Sequence, residues 1–567
     1  MIMSKSNNKM GVVQLTILTA VNMMGSGIIM LPTKLAEVGT ISIVSWLVTA
    51  VGSMALAYAF AKCGMFSRKS GGMGGYAEYA FGKSGNFMAN YTYGVSLLIA
   101  NIAIAISAVG YGTELFDTTL SPLGICIATI GVLWLATVAN FGGARITGKI
   151  SGITVWGVII PVVGISVIGW YWFSGSAYVA AWNPHQVPTF EAIGASISMT
   201  LWAFLGLESA CANTDVVENP ERNVPIAVLG GTLSAAVIYI VSTNVIAGIV
   251  PNMDLANSTA PFGLAFSHMF NPTVGKIIMA LMVMSCVGSL LGWQFTIAQV
   301  FKSSADSGFF PKIFSRLSKA DAPVKGMLTI VVIQSGLSLM TISPSLNKQF
   351  NVLVNLAVVT NIIPYILSMA ALVIIQKVAK VPDNKARIAN IIAGIGALYS
   401  FYALYSSGEE AMMWGAIATF LGWTLYGIVS PRFELAGKRG KAVRHRRPGM
   451  GLWRRTCHHT PTLATKTAYD DRHLPHSLAP LYAAFTERHA VYRYHHRRGA
   501  PPGAASGRQR RQGAARQRGA DIGVSLPGGG SLNGVEAGIP RQTAEQNTKR
   551  AAGESPAAVV GVFVAGG

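Results

Sequence analysis

Charge is scarce in this chain. Only 12% of its 567 residues are Asp, Glu, Lys or Arg, about half the share of a soluble protein, so a water-facing surface over most of the length is excluded. Cysteine is scarce too. Cys63, Cys126, Cys211, Cys286 and Cys457 form no C-x-x-C pair, which removes the usual basis for a disulfide framework or a cysteine-bound zinc. No Walker phosphate loop, no Rossmann glycine pattern after a strand and no H-E-x-x-H pair occurs, so ATP-driven pumping, a nucleotide cofactor and a metal site have no motif behind them. No nucleophile, base and orienting group converge by spacing, and an enzyme is not expected. The N-terminus is polar, with Lys5 and Lys9. The apolar run after it is too long for a signal peptide and lacks a small-residue cleavage site, so it is expected to be a retained first helix.

What the chain has in abundance is apolar length. Mean hydropathy is +0.45 and 51% of residues are hydrophobic. Stretches of about 20 apolar residues, each enough to cross a bilayer core, recur from Val12 to Ser430. The predicted spans are 12–32, 40–61, 86–111, 123–141, 150–173, 192–213, 226–250, 275–300, 327–343, 351–376, 388–406 and 411–430. The fold class is therefore an all-α membrane protein of about twelve transmembrane helices. Lys62, Arg68, Lys69, Lys83, Arg145, Lys149, Arg222, Lys302, Lys312, Arg316, Lys319, Lys325, Lys377, Lys380, Lys385 and Arg387 fall in one set of loops. The opposite loops carry little beyond Lys34, Lys276 and Lys348. The positive-inside rule then places the first set and both termini in the cytoplasm.

The formal charge of +21 is concentrated beyond Leu435, where eight of the ten histidines also lie. It is no guide to the body of the chain, and nucleic acid is not expected as a partner. The domain division is a transporter body over 1–437 and a disordered basic tail over 438–567, with the composition of a frameshifted or read-through segment. Cys457, His458 and His459 are adjacent there, but three neighbouring ligands in such a tail are a poor metal site. The segment Arg68 to Gly75, RKSGGMGG, joins two spans and reads as a turn, not as a phosphate cradle.

Two spans are interrupted. Met24-Gly25-Ser26-Gly27-Ile28 breaks the first span and Pro32 closes it. Unwinding there frees N–H groups, which with the positive end of the following half-helix suit a carboxylate. Close packing through small residues would explain the same glycines. The sixth span carries Gly206, Glu208 and Ser209 at membrane depth. Paired breaks are the pattern of an inverted-repeat transporter with substrate at the midplane.

Glu208 is the most informative residue, because a carboxylate within an apolar segment is costly unless paired, hydrated or protonated. It could hold an ammonium group, exchange a proton, or simply bond a neighbouring helix end. Trp202 and Trp293 fall inside spans, where an indole can bind an ammonium through its ring face. Tyr93 and Tyr426 are weaker candidates of the same kind. Cys63, Glu78, Lys302 and Glu434 are candidates along the cytoplasmic route, although a buried thiol, a solvated acid and a topology-setting lysine explain them equally well.

The segments Met10 to Pro32, Met65 to Gly82, Trp202 to Val228 with its loop ENPERNVP, and Trp293 to Phe314 resemble the amino acid, polyamine and organocation transporter family, in its basic amino acid/polyamine antiporter branch. The resemblance runs from about Lys5 to Glu434. It implies two inverted five-helix repeats plus two helices, with substrate near the first, third, sixth, eighth and tenth spans. It implies that Ser26 and Gly27 take an amino-acid carboxylate, that Trp202 occludes substrate, that Trp293 lines the site, that Tyr93 acts as a gate and that Glu208 is the proton-linked acid. The stretch Gly308-Phe309-Phe310-Pro311 departs from the pattern, since a tyrosine is expected at 309. The implied activity is exchange of putrescine for ornithine across a bacterial inner membrane, with proton-coupled putrescine uptake beside it. Lysine/cadaverine and arginine/agmatine exchange remain open, as do a channel or a non-transporting sensor. Putrescine, ornithine, protons and membrane lipid are the expected partners, no cofactor is implied, and a homodimer is left open.

Overall fold

The computed structural model describes residues 11–433, apart from 70, 209, 210, 212–216, 341, 343 and 344. Glu434 and the tail over 438–567 lie outside the described residues. The helices, in chain order, are α1 (Val12–Met23), α2 (Ser26–Ile29), α3 (Leu31–Val38), α4 (Ser42–Phe66), α5 (Gly72–Leu115), α6 (Pro122–Ala139), α7 (Ala144–Thr154), α8 (Trp156–Ile168), α9 (Gly175–Ala180) and α10 (Thr189–Trp202). They continue as α11 (Pro220–Ile249), α12 (Asn252–Asn257), α13 (Pro261–Met269), α14 (Pro272–Asp306), α15 (Val324–Met340), α16 (Leu346–Val378), α17 (Asp383–Ser406) and α18 (Glu409–Val429). Among the described residues nine helical segments are long and apolar enough to cross a membrane. The other three predicted spans are the interrupted first, the interrupted sixth and the 17-residue α15. This is an all-helical membrane architecture, consistent with the expected fold.

Local sequence sets the helix ends. Ser121 caps α6 by accepting from Gly124 N at 3.1 Å, with Pro122 at the first helical position. Asn271 does the same for α14, accepting from Val274 N at 3.0 Å ahead of Pro272. Such caps satisfy N–H groups that a helix start otherwise leaves without partners. The long α5 bends at Gly82 (φ 63, ψ −153), a conformation only glycine adopts readily. The bend separates a lead-in segment from the third span proper.

Burial sorts the helices into a centre and a rim. The most apolar stretch of α5 is 94% buried and that of α16 is 67% buried, whereas the stretch at α18 is 11% buried. Hydrophobic side chains such as Leu47, Ile127, Leu135 and Phe420 point outward, as expected where lipid replaces water. Inside, a polar chain ties four helices together. Asn101 Nδ2 donates to Gln294 Oε1 at 2.7 Å, and Gln294 Nε2 donates to Thr137 Oγ1 at 3.0 Å and to Gln334 Oε1 at 2.6 Å. Interhelical hydrogen bonds of this kind fix helix rotation in a membrane protein. Here they turn α14 so that Gln294 faces its neighbours while Trp293 faces a cavity.

Lys34, expected in a loop, lies in α3 and is only 3% exposed. Its ammonium pairs with Glu37 at 2.8 Å and donates to the Asn347 carbonyl at 3.3 Å. The helix extends past Pro32 because proline is tolerated in a first turn.

Candidate functional site

The two breaks meet. In the first span α1 ends at Met23, and Gly25 (φ −73, ψ −142) leaves the helical path before Ser26 restarts it. Met30 stays in the right-handed region, so α2 and α3 run on as one half-helix. In the sixth span α10 ends at Trp202, and Gly206 takes φ +109, open in practice only to glycine. A Cβ on Gly27 would lie 3.0 Å from Ala203 Cα, and one on Gly206 would lie 3.1 Å from both Asn22 O and the Trp293 ring. The first, sixth and eighth spans therefore converge with no room for added side-chain atoms.

Glu208 sits at this convergence, 5% exposed. Its Oε1 accepts from the Tyr93 hydroxyl at 2.9 Å. Its Oε2 accepts from the Tyr365 hydroxyl at 2.5 Å and from Gly206 N at 3.0 Å. Each carboxylate oxygen has two lone pairs, and the bonds from Tyr365 and Gly206 occupy those of Oε2. Tyr93 lines the adjoining cavity and Tyr365 does not. The carboxylate is thus held by Tyr365 and Gly206 through Oε2, while Oε1 bonds the cavity-lining Tyr93.

That cavity measures about 40 Å³ and is walled by Gly25, Gly27, Tyr93, Trp202, Trp293 and Asn361, among others. Among the described residues, Glu208 is the only acidic one lining it. One buried polar atom on its wall, Trp202 Nε1, has no hydrogen-bond partner among the described residues. A second cavity of about 160 Å³ lies behind Trp293, walled by Ser151, Ser285, Ser289 and Thr296 together with Asn22 and Gly25. Asn22, Gly25 and Trp293 border both, so the two cavities adjoin across these residues.

The structure gathers Gly25, Gly27, Tyr93, Trp202, Glu208 and Trp293 around one space, with the backbone of Ser26 between the two glycines. Tyr426 is placed elsewhere. It packs at 5.3 Å from Phe87 in an aromatic cluster that includes Phe309 and Tyr91, and it does not line the cavity. Cys63 is fully buried with its Sγ 3.7 Å from the Ser368 carbonyl, one turn along α16 from Tyr365. Glu78 lies on the lead-in segment of α5, paired with Lys69 at 3.1 Å and Lys83 at 3.0 Å and accepting from Asn86 at 2.6 Å. Burial pushes its carboxyl up, but the bonds from Asn86, Lys83 and Lys69 outweigh that and hold it below the usual carboxylate range. Lys302 pairs with Asp306 one turn on, at 2.6 Å. Neither Glu78 nor Lys302 reaches the cavity.

Sequence reasoning missed Tyr365, Asn361 and Asn22. All three sit in apolar spans with no neighbouring charge. The one signal was the run Thr360-Asn361-Ile362-Ile363-Pro364-Tyr365, where polar groups and a proline share mid-span depth.

The amino acid permease family profile matches residues 10–430. The chain is 84% identical over 434 residues to the putrescine transporter PotE of Escherichia coli strain K12, covering 76% of this chain and 99% of that protein. It is 77% identical over 433 residues to the putrescine transporter PotE of Haemophilus influenzae, covering 76% of this chain and 100% of that protein. It is 33% identical over 412 residues to the cadaverine/lysine antiporter of Escherichia coli strain K12, covering 71% of this chain and 91% of that protein.

Proposed function

The chain belongs to the amino acid permease family, and on that premise we propose that it exchanges putrescine for ornithine across the bacterial inner membrane. The transporter body is residues 1–437, with both termini cytoplasmic. The observation that carries the reading is Glu208 lining a tryptophan-walled space, the one acid among its described lining residues. Similarity to putrescine transporters supports the substrate.

Putrescine offers two ammonium groups on a four-carbon chain. One bonds Oε1 of Glu208 next to Tyr93. The other meets the faces of Trp202 and Trp293, where cation–π contact contributes about 0.5 to 2 kcal/mol without a second acid. Ornithine presents the same ammonium and adds a carboxylate, which the N–H groups around Gly25 to Gly27 and the start of the half-helix accept. Binding the two ligands at one site in turn, with rearrangement of the paired breaks between, gives exchange without ATP. Glu208 also takes the proton when putrescine enters alone, because one carboxylate cannot hold a proton and an ammonium at the same lone pair.

The test is efflux of radiolabelled putrescine from proteoliposomes, with and without external ornithine. Stimulation by ornithine, and not by lysine or arginine, is the expected result. Stimulation by lysine instead would move the assignment to a cadaverine/lysine exchanger. Efflux indifferent to every external amino acid, without saturation, would indicate a channel.

A further inference from the structure

At the end of α16 that the loop charges assign to the cytoplasm, α16 and α17 part around an open groove of about 480 Å³. It lies about three helical turns beyond Tyr365, at 3.6 residues per turn, and shares no lining residue with the central cavity. Its floor holds Gln376, which is 2% exposed and whose amide oxygen and nitrogen both lack a hydrogen-bond partner. Beside it, Asn390 Oδ1 is buried and equally without a partner. A buried carboxamide with both ends unsatisfied is costly, and native proteins keep one where something outside the chain completes it.

The rim indicates what that is. Lys377 and Arg387 line the groove with Asp383, and Lys380 and Lys385 lie in the same turn. None of these cations forms an ion pair among the described residues. The start of the 24-residue α17 adds its positive end. Ile391 in the groove lining is 59% exposed, and Val378 and Ile388, next in sequence to Lys377 and Arg387, are 63% and 58% exposed, apolar surface suited to acyl chains. Cations, an amide donor and a helix start suit a phosphodiester, while the Gln376 and Asn390 oxygens and the Asp383 carboxylate accept from hydroxyl groups. We propose that this groove binds the headgroup of a hydroxyl-bearing acidic phospholipid of the phosphatidylglycerol type from the cytoplasmic leaflet.

The test uses the full chain purified in detergent, with bound lipid read by native mass spectrometry during titration with phosphatidylglycerol or phosphatidylcholine. Wild type is expected to retain phosphatidylglycerol preferentially, and Lys377→Gln with Arg387→Gln to weaken retention by about tenfold or more. Lys312→Gln with Arg316→Gln, which removes the same charge from another loop, is expected to leave retention unchanged. Because a variant could fail to fold, a photoreactive phosphatidylglycerol is also mapped on wild type, with labelling expected within residues 373–391. Equal retention of both lipids, or labelling only outside that segment, would overturn the proposal. Displacement of the lipid by excess inorganic phosphate would assign the groove to free phosphate instead and equally overturn the lipid reading.

Discussion

Replacing Glu208 by glutamine separates the binding role of the carboxylate from its structural one. The amide can flip so that its single oxygen accepts from both the Tyr365 hydroxyl and Gly206 N, which now bond Oε2. Its NH₂ then faces Tyr93, whose hydroxyl can turn to accept. Every group behind the site keeps a partner, so Glu208→Gln should remain folded, with a melting temperature within a few degrees of wild type. Toward the cavity, however, a lone pair has become an N–H donor. The substrate ammonium loses its only counter-charge, and leaving one member of a buried pair unpaired costs about 3 to 5 kcal/mol. That corresponds to roughly 10² to 10³·⁵ in affinity. Putrescine and ornithine should lose alike, since both present an ammonium there. The assay is equilibrium binding of each ligand to purified protein, beside exchange in proteoliposomes. A well-folded Glu208→Gln protein that binds putrescine within about threefold of wild type would refute the argument.

Trp293→Ala should join the cavities of about 40 and 160 Å³. Putrescine affinity should fall by roughly 2- to 30-fold for the lost cation–π contact, while a triamine such as spermidine becomes an effective competitor, and unchanged spermidine competition would count against the dividing-wall role. Gly206→Ala places a side chain at φ +109 against Asn22 and Trp293, so it should abolish exchange of both ligands, whereas Gly427→Ala, which meets open space, should not. The Glu78 carboxyl is held below the ordinary range, so its contribution of at most about 1 kcal/mol is present above pH ~4.3 and disappears as pH falls through the lowered value. Melting temperatures of wild type and Glu78→Gln should therefore differ by a constant amount from pH ~8 to ~5 and draw together only as pH falls through the lowered value. Removing residues 438–567 should leave ornithine-stimulated putrescine efflux intact; loss of exchange with normal membrane insertion would give the tail a role.

The spans and both breaks were legible because hydropathy and glycine act locally. Glu208 was legible because an acid at that depth needs a reason. Trp202 and Trp293 could be placed near it once the breaks were seen. Tyr365 and Asn361 were not, since a tyrosine or asparagine in an unbroken apolar helix can face any of its neighbours. Which way it faces is set by helix rotation, here fixed by contacts such as Asn101–Gln294–Gln334 that join residues far apart in sequence. Tyr426 shows the converse, an aromatic near a span end that packs against Phe87 and Trp423 and does not line the cavity. Lys34 misled because a lysine two residues past a proline reads as loop until its acceptors, Glu37 and the Asn347 carbonyl, are seen.

The exchange proposed above would carry an electrical sign set by its two substrates. Putrescine carries two positive charges and ornithine one, and the single negative charge of Glu208 does not make those loads equal. Under the proposed exchange, each turnover that sent putrescine out and brought ornithine in would move one net positive charge outward. Against an inside-negative voltage this costs about 2.3 kcal/mol per 100 mV, equivalent to a concentration ratio of roughly fifty. Export must therefore draw on the combined gradients of the two solutes, and collapsing the voltage should accelerate it. The same voltage would favour the opposite cycle, so under the proposed exchange the direction would follow the voltage and the two solute gradients together.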